Sequence, residues 1–162
     1  MVVRDVERSR QDADLFAPTH PTLSSLEAYS ESTASTMLYL LLGVLGQTGS
    51  DAFNHAASHV GLSSSFTTLL RSLPFHASQR RMVIPVEIGA KHGVAEEDLF
   101  RHGGDAHGIR DAVYELANTA KSHLDAAKDL FVEHGGKVPR AVVPAFLTAV
   151  RRNPNALQWQ AH

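Results

Sequence analysis

The clearest rhythm of apolar and polar positions lies between residues 109 and 131. Ile109, Val113, Leu116, Ala120, Leu124, Ala127 and Phe131 recur at three- and four-residue steps, the spacing that lines one face of an α-helix. Arg110, Glu115, Lys121, Asp125 and Lys128 lie between them and predict a water-facing side. A second helix is expected to begin at Ser24 or Ser25 as N-cap. Its predicted face carries Leu26, Tyr29, Thr33, Thr36, Leu40 and Val44, and Gly46 with the following QTGSD marks its stop. The run Met37 to Gly46 is the most apolar in the chain, too short to span a bilayer alone and expected to be a buried helix segment.

Ser50 predicts the cap of a third helix, with Asp51 well placed against its N-terminal dipole. Ala56, Val60, Leu62, Phe66, Leu69, Leu70 and Leu73 form its apolar face, Gly61 is expected to permit close packing, and Pro74 is expected to end the regular pattern. Pro85 predicts the first turn of a short helix over VEIGAKHG, and VAEEDLF a further brief one. The opening segment to Gln11 permits a helix without a strong apolar face, and APTHPT (Ala17 to Thr22) breaks the chain. HGGKVP is a later break before a final helix from Ala141 to Val150. Alternating strand patterns are scarce and no repeat emerges, so the reading is one all-α helical domain over residues 1–162.

Composition narrows the class. A chain of 162 residues with 43% hydrophobic content suits one globular domain. The net charge of -2 gives no overall basic footprint, and aromatic residues are not interleaved with basic ones, so nucleic acid is not an expected partner. There is no cysteine and hence neither a disulfide nor a thiolate metal site. The start has no secretory signal pattern.

Motifs for chemistry are few. There is no phosphate-binding glycine loop, no dinucleotide fingerprint and no HExxH. His55 and His59 stand four residues apart on one helix face, but nothing supplies the further ligands that zinc requires. Glu96, Glu97 and Asp98 read as a solvated first helical turn. Arg71, Arg80 and Arg81 form a positive cluster, read either as ordinary surface or as a contact for an anion or an acidic partner.

The segment Gly61 to Pro85, GLSSSFTTLLRSLPFHASQRRMVIP, has a helical rhythm, many hydroxyls and three arginines, yet no acid occurs from Ala52 through Val86. Together with SLEAYSESTASTMLYLLLGVLG, AASHVG and KHGVAEEDL, it resembles the later, C-terminal part of the squalene and phytoene synthases, the head-to-head prenyl synthases. The similarity is closer still to a mitochondrial branch concerned with respiratory complex I. It runs in order from about Leu15 to Phe146.

The resemblance implies an all-α, isoprenoid-synthase-like helical bundle. In an active member this segment carries the second aspartate-rich motif. Arg71 matches the arginine before that motif, the two aspartates fall on Ser72 and His76, and the acidic position between them falls on Phe75. Ser65 and Thr68 occupy upstream polar positions, while Arg81 and Pro85 match later landmarks. Magnesium that holds a diphosphate prefers hard carboxylate oxygens, and Ser72 and His76 supply none.

The resemblance therefore implies a catalytically inactive protein, without a cofactor or metal, acting in complex I assembly. Its partners would be complex I subunits or other assembly factors, with peripheral association on the matrix side of the mitochondrial inner membrane. Arg80 and Arg81 are its candidate anion or partner contacts. Phe66 and Phe75 are expected to fill the inherited cavity, and self-association is expected of a chain that carries only part of such a bundle. The alternatives are a prenyl diphosphate-condensing enzyme and an isoprenoid- or lipid-binding module.

Overall fold

The computed structural model describes residues 20–47, 50–132 and 140–150. The expectations for the opening segment and for HGGKVP lie outside these residues. Every regular element in the described part is helical, in agreement with the all-α class. In order these are α1 (Leu23–Ser30), a π-helical turn (Glu31–Ser35), α2 (Thr36–Val44), α3 (Asp51–Ser78), α4 (Val86–Lys91), α5 (Glu96–His102), a 3₁₀ turn (Gly103–Asp105), α6 (Ile109–Val132) and α7 (Val143–Val150). None is long and apolar enough to cross a membrane. The chain divides into two compact units, one holding the residues up to Leu26 with Ser72–Val113, the other Glu27–Arg71 with the residues from Tyr114 onward.

In the first unit, α1 begins one residue after Thr22, earlier than the expected Ser24 or Ser25 cap. Ser25 N–H donates to Thr22 Oγ1 at 3.1 Å while Thr22 N–H donates to Ser25 Oγ at 3.2 Å. This reciprocal box satisfies amides that a helix start otherwise leaves open. Glu87 Oε2 accepts from Leu23 N–H at 3.1 Å, and Val86 and Glu87 donate their amides to the carbonyls of His20 and Pro21. The core side of this unit includes Leu73, Ala77, Ile84, Ile88, Leu99 and Ile109, all buried. Gly108 has a φ of +70°, and a Cβ there would meet the carbonyl oxygen of His92 at 2.0 Å.

Pro74 does not end α3, which continues to Ser78. Its ring removes one internal donor, but Leu73 before it and Ala77 after it are both buried. Their common need for burial keeps the segment helical through the proline.

The second unit has its own apolar centre. Leu38 and Leu42 of α2, Ala56, Ala57 and Val60 of α3, Ala127 and Phe131 of α6, and Ala145 and Phe146 of α7 form one cluster. Phe146 meets Phe131 edge to face, with ring centres 5.4 Å apart, a favoured arrangement of aromatic quadrupoles.

The observed face of α1 and α2 differs from the predicted one. Leu40 and Val44 are exposed, at 62% and 86%, and Tyr29 is partly so, whereas Leu26, Ser30, Ser35, Leu38 and Leu42 are buried. The step from Ser30 to Ser35 is five residues, and it coincides with the π turn, where Thr36 N–H reaches Glu31 O. One extra residue in the turn rotates everything after it by about a quarter turn. The apolar run at Met37 is consequently only half covered, with Met37, Leu40, Leu41 and Val44 facing outward.

Candidate functional site

Six residues singled out by the resemblance lie on the single helix α3. The division between the units falls after Arg71, so Ser65, Thr68 and Arg71 belong to the second unit and Ser72, Phe75 and His76 to the first. Ser65 Oγ accepts a hydrogen bond from Ser30 Oγ of α1 at 2.8 Å. Thr68 turns its hydroxyl back to the Ser64 carbonyl at 2.8 Å, a local bond that ties the side chain to its own helix. Arg71 is exposed, and Ser72 and His76 are half-buried.

Phe75 is 66% exposed and so does not fill a cavity as expected. It stands two residues from each of the buried Leu73 and Ala77, close to the opposite side of the helix. Its ring meets His76 edge to face at 5.5 Å. Phe66 does take the interior role, with no exposed surface. Ser72, Phe75 and His76, which the resemblance sets at the aspartate-motif positions, offer a hydroxyl, a ring without a donor atom and an imidazole, a set that does not fit magnesium. No group of three or more His, Cys, Asp or Glu suited to a metal occurs among the described residues.

Arg80 and Arg81 follow α3 in the first unit. Arg80 has a φ of +55°, unusual for a residue with a Cβ. The turn aims its guanidinium at Glu97, with Nη2 donating to Oε2 at 2.6 Å, and places it over the Phe100 ring. Arg101 Nε donates to the other Glu97 oxygen at 2.7 Å. The bonds from Arg101 and then Arg80 hold the Glu97 carboxyl below its ordinary range. Arg81 is exposed. Asp98, expected to be simply solvated, instead accepts from His107 N–H at 2.7 Å and faces His102 Nδ1 at 2.6 Å. Those two contacts, the backbone one foremost, lower its pKa.

A further polar assembly was not evident from the motifs. Glu31, in the π turn of the second unit, accepts from Ser58 Oγ at 2.8 Å and from the Tyr39 hydroxyl. Burial pushes the Glu31 carboxyl up, but the hydrogen bonds from Tyr39 and Ser58 outweigh it and leave the group below its ordinary value. Burial and then the bond to Glu31 raise the Tyr39 hydroxyl. Ser35 Oγ donates to the Ser58 carbonyl at 3.1 Å.

Next to Ser58, His59 does not pair with His55, which is exposed. It faces His123 of α6, with the two Nδ1 atoms 3.0 Å apart. His123 Nε2 lies 3.6 Å from Glu27 Oε1, and its ring receives Phe66 edge-on at 5.9 Å. The advance signal was Glu31 followed by an uncharged stretch from Ser32 to Ser50, with serines such as Ser58 able to donate to it. The partners are distant in sequence, so spacing alone could not assemble them.

The chain is 37% identical over 140 residues to NADH dehydrogenase (ubiquinone) complex I, assembly factor 6, of Rattus norvegicus, covering 86% of this chain and 40% of that protein. It is 40% identical over 135 residues to the Drosophila melanogaster homolog, covering 82% and 39% respectively. Phytoene synthase 2, chloroplastic, of Zea mays is 27% identical over 93 residues, covering 54% and 23%. The match thus spans about two fifths of the length of the curated assembly-factor relatives. No solved structure matches significantly. The squalene/phytoene synthase profile matches residues 3–162, and with every described element helical the chain belongs to the squalene/phytoene synthase family.

Proposed function

We propose that this chain acts without catalysis in the assembly of respiratory complex I. It would bind complex I subunits or other assembly factors, peripherally, at the matrix side of the mitochondrial inner membrane. The observation that carries this reading is that Ser72, Phe75 and His76 on α3, which the resemblance sets at the synthases' carboxylate positions, include no carboxylate. A diphosphate leaving group needs its charge offset by magnesium on hard oxygens, and a hydroxyl with an imidazole does not provide that. The relatives named as complex I assembly factors support the same reading.

Two surfaces support a protein-binding role. The outward face of α2, Met37, Leu40, Leu41 and Val44, is a run of exposed apolar side chains at helical spacing, the kind of surface that marks contact sites. The same face supports self-association of the chain by itself. Arg81, beside the Arg80–Glu97 pair, supplies an exposed cation for an acidic partner. The remnant positions Ser65, Thr68, Arg71, Ser72, Phe75 and His76 serve as structural parts of α3 in this reading.

The test has two arms. Tagged full-length chain expressed in mitochondria should co-purify complex I subunits or assembly proteins under conditions that preserve their known associations. Purified protein supplied with magnesium and prenyl diphosphates should form no condensed product. Magnesium-dependent product would restore the enzyme reading. Saturable binding of an isoprenoid or lipid, with neither turnover nor protein capture, would favour the binding-module alternative.

A further inference from the structure

We infer that His59 and His123 form a proton-operated latch between α3 and α6 in the second unit. Their Nδ1 atoms face each other at 3.0 Å, so the contact holds only while one nitrogen donates a hydrogen and the other accepts it. The ring that accepts at Nδ1 must carry its own hydrogen on Nε2 if it is neutral. His123 suits that part, because its Nε2 faces Glu27 Oε1 at 3.6 Å. His59 Nδ1–H then donates to His123 Nδ1, which leaves His59 Nε2 as the remaining base.

This assignment gives the latch a definite response. A first proton on His59 Nε2 leaves the shared hydrogen bond intact. A second, on His123 Nδ1, places two N–H bonds head to head between two positive rings, and the contact must open. The surrounding charges are distributed over all the packed elements. Glu27 from α1 and Glu31 from the π turn favour charge on the pair, His55 on α3 opposes it, and Tyr39 from α2 is engaged with Glu31. Burial, then the His123 and His55 charges, lower the pKa of His59 in spite of Glu31. Phe66, fully buried against the His123 ring, leaves little room for that ring to turn aside in the closed state.

The direction with pH follows. A histidine whose folded pKa is lowered takes up its proton more readily in the unfolded chain. Its contribution to stability is complete above its ordinary value of 6.5 and is lost as pH falls from there through the folded value.

The experiment uses the full 162-residue chain. Imidazole ¹⁵N spectra are followed from pH 8 to pH 4.5, and urea unfolding is measured over the same range for wild type, His59→Gln, His123→Gln and the exposed control His102→Gln. The expected wild-type spectra show a persistent Nδ1-protonated His59 at neutral pH and loss of the Nδ1-to-Nδ1 hydrogen bond at the acid end of the range. The folding equilibrium constant should fall below pH 6.5 by up to about tenfold per pH unit for each extra proton bound on unfolding. The His59 and His123 variants should lose part of that slope, and the His102 variant should retain it. Absence of the Nδ1-protonated His59 at neutral pH, or an unchanged slope in both pair variants, would overturn the latch. If the variants do not fold, the wild-type spectra alone decide.

Discussion

A Cβ on Gly61 would lie 2.2 Å from Ser35 Oγ and 2.6 Å from Ser35 Cα. Glycine therefore lets α3 press directly against the π turn. Gly61→Ala gains about 1 kcal/mol of helix propensity but forces the two backbones apart, an overpacking cost of about 1–3 kcal/mol. A net loss of stability is expected in urea unfolding, and the Ser35 to Ser58 hydrogen bond should weaken with it. Gly104→Ala, where nothing lies within 4 Å of the added atom, should stay within about 0.5 kcal/mol of wild type. A Gly61→Ala protein as stable as wild type would show that the close approach has no energetic consequence.

Glu31 holds together three separate pieces of the second unit. Tyr39→Phe removes a bond to a charged acceptor and is expected to cost about 1–3 kcal/mol. The pH response has a definite sign. The Glu31 carboxyl lies below its ordinary value of 4.5 in the folded chain, so its stabilisation is present above that pH and declines as pH falls through the folded value. The stability gap between wild type and Glu31→Gln should therefore narrow below pH 4.5. A constant gap down to pH 3 would contradict this account.

Gly108 combines a φ of +70° with the His92 carbonyl 2.0 Å from any added Cβ. Gly108→Ala should lose about 1–3 kcal/mol through backbone strain alone, with more from the clash. Thermal unfolding by circular dichroism should show a clear fall in midpoint. An unchanged midpoint would mean that the entry to α6 rearranges freely.

The outward face of α2 is open to a direct test. Leu40→Lys with Val44→Lys replaces side chains that are mostly in water, so each should alter stability by no more than about 0.5 kcal/mol. Sedimentation across a range of concentrations should show association of the wild type and its reduction in the double variant. Equal concentration dependence in the two proteins would remove this face from consideration as a contact surface.

Local pattern went far in this chain, but only where one face had one task. Ile109, Leu116, Ala120, Ala127 and Phe131 were all expected inside α6 and all are buried. The same reasoning misplaced the face of α2 because it assumed a constant 3.6-residue period through Glu31–Ser35. It also stopped α3 at Pro74, since propensity counts the donor that proline lacks and not the burial of Leu73 and Ala77 on either side.

The family positions on α3 are what the resemblance implies, and no geometry turns Ser72 or His76 into a carboxylate. Where those side chains would lie was a different matter, as Phe75 demonstrates by facing water. The amino-acid order by itself determined the helical class and the family, since both depend on residue identity and short-range spacing. The tertiary structure alone decided the outward face of α2, the Glu31–Tyr39–Ser58 cluster and the meeting of His59 with His123. Those depend on one extra residue in a helical turn and on partners up to 64 positions apart, and packing in three dimensions is what brings such groups into contact.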